Sequence, residues 1–275
     1  MKDVSFYIIH NDSKDRSDLR NRIKNLAKKL NIDLFEIYKQ SNNLKIKFTF
    51  NHKLRMLRIY FLRFFYNLKK KKEFSFNFYS LLFKSLLNFN NSIINLFFKN
   101  ENENKKDYKH IMIESIVTKK HIKAWEHFLK SKKEIMVIFE DDAICKKDTE
   151  KRLKEFFVKI KDFDFNYIYI DLAGGLDLED VIPARMIKKS NNEFLLLDGI
   201  FTNTACSYLI NRNLIKLLYE EYLKSKFNNS FPIDHLINKL GIKITKAQNI
   251  LSIHFYNPLF THGSFKGKIK SWQIY

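Results

Sequence analysis

The sequence predicts an α/β fold, a Rossmann-type mixed sheet flanked by helices, and three observations predict it. The chain opens as strand, helix, strand. The same alternation returns after Asp107, and between the two lies a stretch, from about residue 44 to 106, that reads as a basic amphipathic helical insertion within a single domain of residues 1–275. The third observation is a short apolar run, Ile135 to Phe139, that ends in the acids Glu140-Asp141-Asp142. A buried strand that stops in carboxylates delivers them to the carboxyl edge of a sheet, where open α/β folds bind ligands.

Val4 to Ile9 is the first strand, His10 to Asp15 a polar loop, and Leu19, Ile23, Leu26 and Leu30 mark a helix by their three-to-four spacing. Asn31 to Asp33 ends that helix and Leu34 to Tyr38 is a second strand. Beyond the insertion the pattern predicts helices over 116–129, 149–160, 213–223 and 233–240, the last ended by Gly241. Strands are predicted over 135–139, 167–172, 194–197 and 205–210, with a flexible turn at Ala173-Gly174-Gly175. Pro258 to Tyr275 has too little periodicity for an element and reads as a tail that covers a site or docks on the core.

In the insertion, Leu54, Leu57, Phe61, Phe64, Phe65 and Leu68 recur on one helical face, with Arg55, Arg58 and Arg63 projecting from it. Four lysines, Lys69 to Lys72, suit the negative carbonyl end of this helix. A second stripe runs through Phe78, Leu82, Leu86, Phe89, Ile93 and Phe97. Packing on the main domain is the role favoured for the second stripe. For the first, packing and a place in a membrane interface are both open, since a basic helix rich in aromatics fits either.

Composition narrows the class. A chain of 275 residues with 45% hydrophobic content folds around a sizeable core rather than staying disordered. A net charge of +20 implies an anionic partner: a phosphorylated substrate, an acidic membrane surface or nucleic acid. Cys145 and Cys206 have no paired spacing, so neither a disulfide framework nor a zinc site is expected, and a reducing compartment follows. The first strand is too short for a secretory core, and no stretch of about 18 uncharged apolar residues is present to span a membrane.

The acid triplet invites a divalent cation, because hard cations that carry phosphates prefer oxygen ligands and three adjacent carboxylates repel one another unless compensated. A solvated turn before a helix capped by Asp148 is the plainer role.

Taken together, the pieces resemble glycosyltransferase family 25, the lipooligosaccharide biosynthesis and collagen galactosyltransferase family. The resemblance lies in Tyr7-Ile8-Ile9-His10-Asn11 with Arg16, and in Glu114, His121 seven residues on and Trp125 four further. It continues in Glu140 to Asp142, the run Ala205 to Arg212, and Pro232-Ile233-Asp234. Where the family has Gly-Cys this chain has Ile116-Val117, and Lys120 replaces a Ser.

The resemblance implies a GT-A-like fold and an inverting, metal-dependent transfer of a sugar, galactose among the candidates, from a nucleotide-sugar donor of the UDP class to a saccharide acceptor, lipid-linked in surface-glycan synthesis. It implies donor contacts at His10, Asn11, Arg16, Glu114, His121, Glu140 and Asp141. Asp142 is the expected ligand of Mn2+ or Mg2+, which would neutralise the leaving group. His262, in Thr261-His262-Gly263-Ser264, is the candidate second ligand. Asp234 is the candidate base, with a helix-terminal carboxylate as its plainer role. Arg16, Lys119 and Lys120 are available for phosphate oxygens. The expected location is cytoplasmic, peripheral on the inner face of the cytoplasmic membrane. Two rivals remain. A basic nucleic-acid-binding protein would use the same charge, although no binding motif is present and no nucleic-acid partner is expected, and a metal-dependent phosphoryl-transfer enzyme would use the same acids.

Overall fold

The computed structural model describes residues 3–12, 14–38, 48–74, 78–160, 166–178, 182, 186–245, 250–264 and 267–268. The opening is a parallel strand–helix–strand unit: β1 (Val4–His10), α1 (Ser17–Leu30) and β2 (Asp33–Tyr38), with β1 and β2 paired in parallel. All seven residues of β1 are buried, because it is an inner strand covered on both faces. Its alternate side chains feed two cores. Tyr7 and Ile9 join the layer under the later helices, and Phe6 and Ile8 pack beneath α1.

After the insertion come β3 (Ile135–Glu140), β4 (Ala143–Cys145), α5 (Thr149–Lys159), β5 (Tyr167–Asp171), β6 (Ile187–Ser190), β7 (Phe194–Asp198) and β8 (Ser207–Asn211). Two helices, α6 (Arg212–Leu223) and α7 (Ile233–Thr245), lead to β9 (Ile250–Phe255) and β10 (Phe260–His262). Eight strands form one mixed sheet in the order β2-β1-β3-β8-β5-β9-β7-β6, and β4 pairs with β10 in a separate ribbon. Strands β1, β3, β5 and β9 share a direction, while β8 and β7 run against it.

The insertion adds no strand among the described residues. It consists of α2 (Phe50–Phe74), α3 (Phe78–Phe98) and the first turns of α4 (Glu101–Leu129). Helix α4 therefore begins fifteen residues before its predicted start, where Asn100 accepts a hydrogen bond from the Glu103 amide and caps it. The packed face of α2 is not the predicted stripe. Met56, Ile59 and Tyr66 are buried, whereas Leu54, Phe61 and Phe65 face solvent. Arg63 shares the packed face because it pairs with Glu114 of α4 at 2.5 Å and donates to the Ser230 carbonyl. Arg58 lies over the Phe227 ring and Arg55 donates to the Tyr108 hydroxyl, so these arginines do not simply project into solvent. Helix α3, expected to pack on the main domain, instead lies against α2 through Phe89, with Leu96 reaching the α2–α4 cluster. Residues 39–47 and the side chains of 69–82 and 84 lie outside the described ones, and with them the Lys69 to Lys72 run.

Two further departures have physical reasons. Helix α7 continues through Gly241 to Thr245, because this glycine is not a terminator: a Cβ there would meet Ile200 Cβ at 2.9 Å. The segment from Pro258 carries β10, whose register is set by pairing with β4 rather than by any pattern of its own. Residues 269–275, including Trp272, lie outside the described ones.

The Ala173-Gly174-Gly175 turn also depends on a missing side chain. A Cβ on Gly175 would lie 2.4 Å from Thr204 Cγ2, and Thr204 itself has φ +78°, a conformation that a β-branched residue adopts only under strain. Gly175→Ala should cost about 1–3 kcal/mol by overpacking. Adding Thr204→Gly should recover most of that loss, so a double-mutant cycle by urea unfolding should show coupling above about 0.5 kcal/mol.

Candidate active site

The strand directions gather the polar residues at one edge. The carboxyl ends of β1, β3, β5 and β9 lie there, and so does the amino end of antiparallel β8, where Ser207 pairs opposite Phe139. The chain leaves β1 for β2 on one side and returns to β3 on the other, so His10-Asn11 and Glu140 to Asp142 flank the switch point of the sheet.

The period of two along β3 sends its terminal acids to opposite faces. Glu140 points into the α4 side, where its Oε1 lies 3.1 Å from His121 Nε2. His121 Nδ1 is 3.1 Å from the Tyr208 hydroxyl, which also accepts from the Trp125 indole at 3.1 Å. Indole only donates, so the hydroxyl proton is directed to Nδ1 and the imidazole carries its proton on Nε2, facing Glu140. Burial, reinforced by Lys120, pushes the His121 pKa down to about 3, which keeps the ring neutral. Burial first, then Asp142, raises the Glu140 carboxyl well above the usual range. The helix spacing of His121 and Trp125, seen in the sequence, is thus the spacing that lets both reach one tyrosine.

Asp141 points to the α1 side and pairs with the buried Arg16 guanidinium. Burial raises its carboxyl pKa, and Arg16 opposes that rise. Arg16 therefore compensates Asp141. Lys120 is likewise buried, with its ammonium donating to the His10 carbonyl at 2.7 Å and to Asn11 Oδ1. Both cations are buried and build the loop after β1, while Lys119 stays exposed. His10 stacks on Tyr38 and accepts from the Asp12 amide, and burial lowers its pKa.

Asp142 stands in the turn between β3 and β4. Its Oδ2 accepts from Ser264 and lies 3.4 Å from His262 Nδ1, because β10 pairs His262 with Ala143. Its Oδ1 accepts from the Cys206 thiol at 3.4 Å. Burial and the adjacent Asp142 raise the Cys206 pKa well above normal, so the thiol keeps its proton and acts as a donor that orients the carboxylate. Carboxylate, imidazole and thiol atoms lie within 4.8 Å of one another, a donor set with the oxygen and nitrogen that a cation of the Mn2+ type takes. His262 also lines a cleft of about 670 Å3 walled by Lys146, the Gly174-Gly175 turn and Asn257, which is within the size of small-molecule sites.

Asp234 is in the first turn of α7, half-buried, with Oδ1 accepting from the His235 amide at 2.8 Å. Its charge acts on both Glu140 and His121, which places it on the α4 side of the same edge. Glu114 is engaged by Arg63 and by His110 at 3.3 Å, and so anchors the insertion. Sequence reading missed Asp171, the buried acid that ends β5. Its two oxygens accept from the Gly174 and Asn203 amides, both at 2.9 Å, and so fix the loops that wall the cleft. The signal was present, since Asp171 ends an apolar strand as Glu140 does. Cys206 was passed over because only the antiparallel entry of β8 puts it beside Asp142.

These features define an α/β chain with a strand-end acidic site at the sheet's switch point. Residues 118–237 match the family described as glycosyltransferase family 25 (LPS biosynthesis protein), the family that the motifs resemble. The matched segment holds His121, Trp125, the acid triplet and Asp234, and leaves out Glu114 and the amino-terminal motif. No curated protein matches the chain. Among solved structures, the crystal structure of a glycosyltransferase involved in the glycosylation of the major capsid of PBCV-1 is similar at 8% identity and a TM-score of 0.32. That similarity covers 82% of this chain and 68% of that one, and it is too distant to bear on the site.

Tyr208→Phe would strip partners from two buried groups, so unfolding should become easier by about 2–4 kcal/mol, read by urea denaturation. Arg16→Met should cost about 3–5 kcal/mol by leaving Asp141 buried without its cation. The sign of its pH dependence follows from the carboxyl's raised value. The native state of the variant holds a proton that the unfolded chain releases near pH 4, so stability should fall as pH rises from there through the native value. Urea midpoints measured between pH 4 and 8 should show this fall more steeply than in the parent protein.

Proposed function

We propose that this chain transfers a sugar from a nucleotide-sugar donor to a saccharide acceptor, and that the site at the end of β3 performs the transfer. The observation that carries the reading is Asp142, oriented by Cys206 and Ser264 and set beside His262 at the mouth of a cleft. The family match over residues 118–237 supports glycosyl transfer as the reaction class. On this reading Asp142 and His262 hold a divalent cation, Mn2+ or Mg2+, and a bound cation supplies Lewis-acid neutralisation of the diphosphate leaving group.

The remaining steps belong to the chain's own side chains. The loop of His10 and Asn11, held by Lys120, forms one side of the donor site, in the position where open α/β sheets receive nucleotides. Neutral His121, locked by Tyr208, presents its Nε2 proton to Glu140 and keeps that carboxylate in one orientation toward the donor. Asp234 takes the proton from the acceptor hydroxyl as that oxygen attacks the anomeric carbon. A single displacement of this kind inverts the configuration. The donor belongs to the UDP-sugar class and the acceptor is a glycan of the lipooligosaccharide type, both by the family resemblance. The charge of +20 suits an anionic donor and acceptor without requiring nucleic acid.

Asp142→Asn should abolish manganese-dependent binding of UDP-sugars, measured by calorimetry, while the thermal midpoint of the free protein stays within a few degrees. Unchanged manganese affinity would remove Asp142 from the cation site. Asp234→Asn should retain donor binding and lose transfer by about 10²–10⁴-fold, since an amide cannot accept the proton. A loss below about tenfold would assign Asp234 to helix-terminus stabilisation instead.

A further inference from the structure

Helix α3 is apolar on two sides, and the fold covers only one. The covered side meets α2, where Phe89 stacks on Phe64 at 4.5 Å and Leu96 is 1% exposed. Phe83, Leu86, Leu87, Ile94 and Phe97 fall on a different side, within about a third of a turn of one another at helical spacing, and are each between 44% and 65% exposed. Asn88, Asn91 and Asn95 occupy the remaining side, and exposed Asn90 interrupts the apolar one. A helix that is apolar on two sides normally buries both, so this outer face lacks a partner within the described residues. Helix α2 adds to it: Leu54, Phe61 and Phe65 form their own exposed stripe, and Phe61 meets Phe89 edge-on at the seam between the helices.

Charge selects the partner. Between residues 45 and 100 the sequence holds twelve lysines and arginines and one acid, Glu73. An apolar face about 21 Å long from Phe83 to Phe97, on a cationic insertion almost free of acids, matches the surface of an anionic bilayer, whose headgroups attract cations while its acyl boundary accepts Phe and Leu. No helix among the described residues is long and apolar enough to cross a membrane, so the helix would lie in the interface.

We infer that the outer face of α3, with the adjoining stripe of α2, docks on an anionic phospholipid bilayer. Arg55, Arg58 and Arg63 are engaged with Tyr108, Phe227 and Glu114, so they do not lead this contact. The apolar face carries the binding and the cations add to it. The inference does not rest on the glycosyl-transfer reading, since α3 contributes no residue to the site at the end of β3.

The full chain is floated with vesicles of phosphatidylcholine containing one-third phosphatidylglycerol at low salt. The parent protein should float with the vesicles, and Ile94→Glu with Phe97→Glu should weaken binding at least about tenfold. The unfolding midpoint should stay put, because both side chains are half exposed. A control pair, Val158→Glu with Leu223→Glu, adds the same charge at exposed sites on α5 and α6 and should bind as the parent does. Three outcomes overturn the inference: a parent protein that ignores the vesicles, a double variant that binds like the parent, or a parent dimer by light scattering that the double variant converts to monomer. The last would assign the face to a second copy of the chain. Hydrolysis of UDP-sugars in the same samples reads the site separately, so failure of that activity leaves the vesicle result intact.

Discussion

Three consecutive carboxylates at one strand end cannot share one environment, and the site is organised around keeping them apart. Unit charges a few ångströms apart in a poorly solvated edge repel by several kcal/mol unless each is answered. The strand period answers them in different directions. Glu140 turns to His121 on the α4 face, Asp141 to Arg16 on the α1 face, and Asp142, in the turn, to Cys206 and Ser264. Each compensation has a different chemical character: a neutral imidazole, a buried cation, and the uncharged donors Cys206 and Ser264, which set Asp142 beside His262. That asymmetry leaves Asp142 the one acid of the three set beside His262 of β10.

The mixed sheet makes this possible. In an all-parallel sheet the strand next to β3 would present its own carboxyl end, and the amino end of β8 would lie far away. Because β8 runs antiparallel, Cys206 at its entry reaches Asp142, while Tyr208 within it reaches His121 and Trp125. The far side of the edge is held by Asp171, which fixes the Gly174 turn and the Asn203 loop through backbone amides. Strain at Thr204 and Ala205, both at positive φ, is concentrated in that loop and offset by the packing around it.

The insertion obeys a different constraint. It is anchored through polar contacts of α2, chiefly Arg63 with Glu114, while much of its apolar surface stays outside. A partly buried ion pair of this kind contributes little net stability. The hydrophobic stripe read from the sequence was therefore a poor guide to which face packs. Met56 and Tyr66 are the buried positions, and Arg63 lies between them because Glu114 waits opposite.

What the sequence alone determined is what local physics dictates: the β1–α1–β2 opening, the strand that ends in Glu140 to Asp142, the helices from 149, 212 and 233, and the family resemblance that residues 118–237 bear out. Periodicity and strand-end acids are properties of neighbours along the chain, so they can be read there. Only the tertiary structure decided that Cys206, Asp171 and Ser264 belong to the edge, that Arg16 and Lys120 are spent inside it, and that Glu114 anchors the insertion. It also decided that Gly241 lies inside a helix, because Ile200 leaves no room for a Cβ. Each of these rests on a contact between residues distant in the chain, set by the direction and register of strands such as β8 and β10, and no local pattern encodes that pairing.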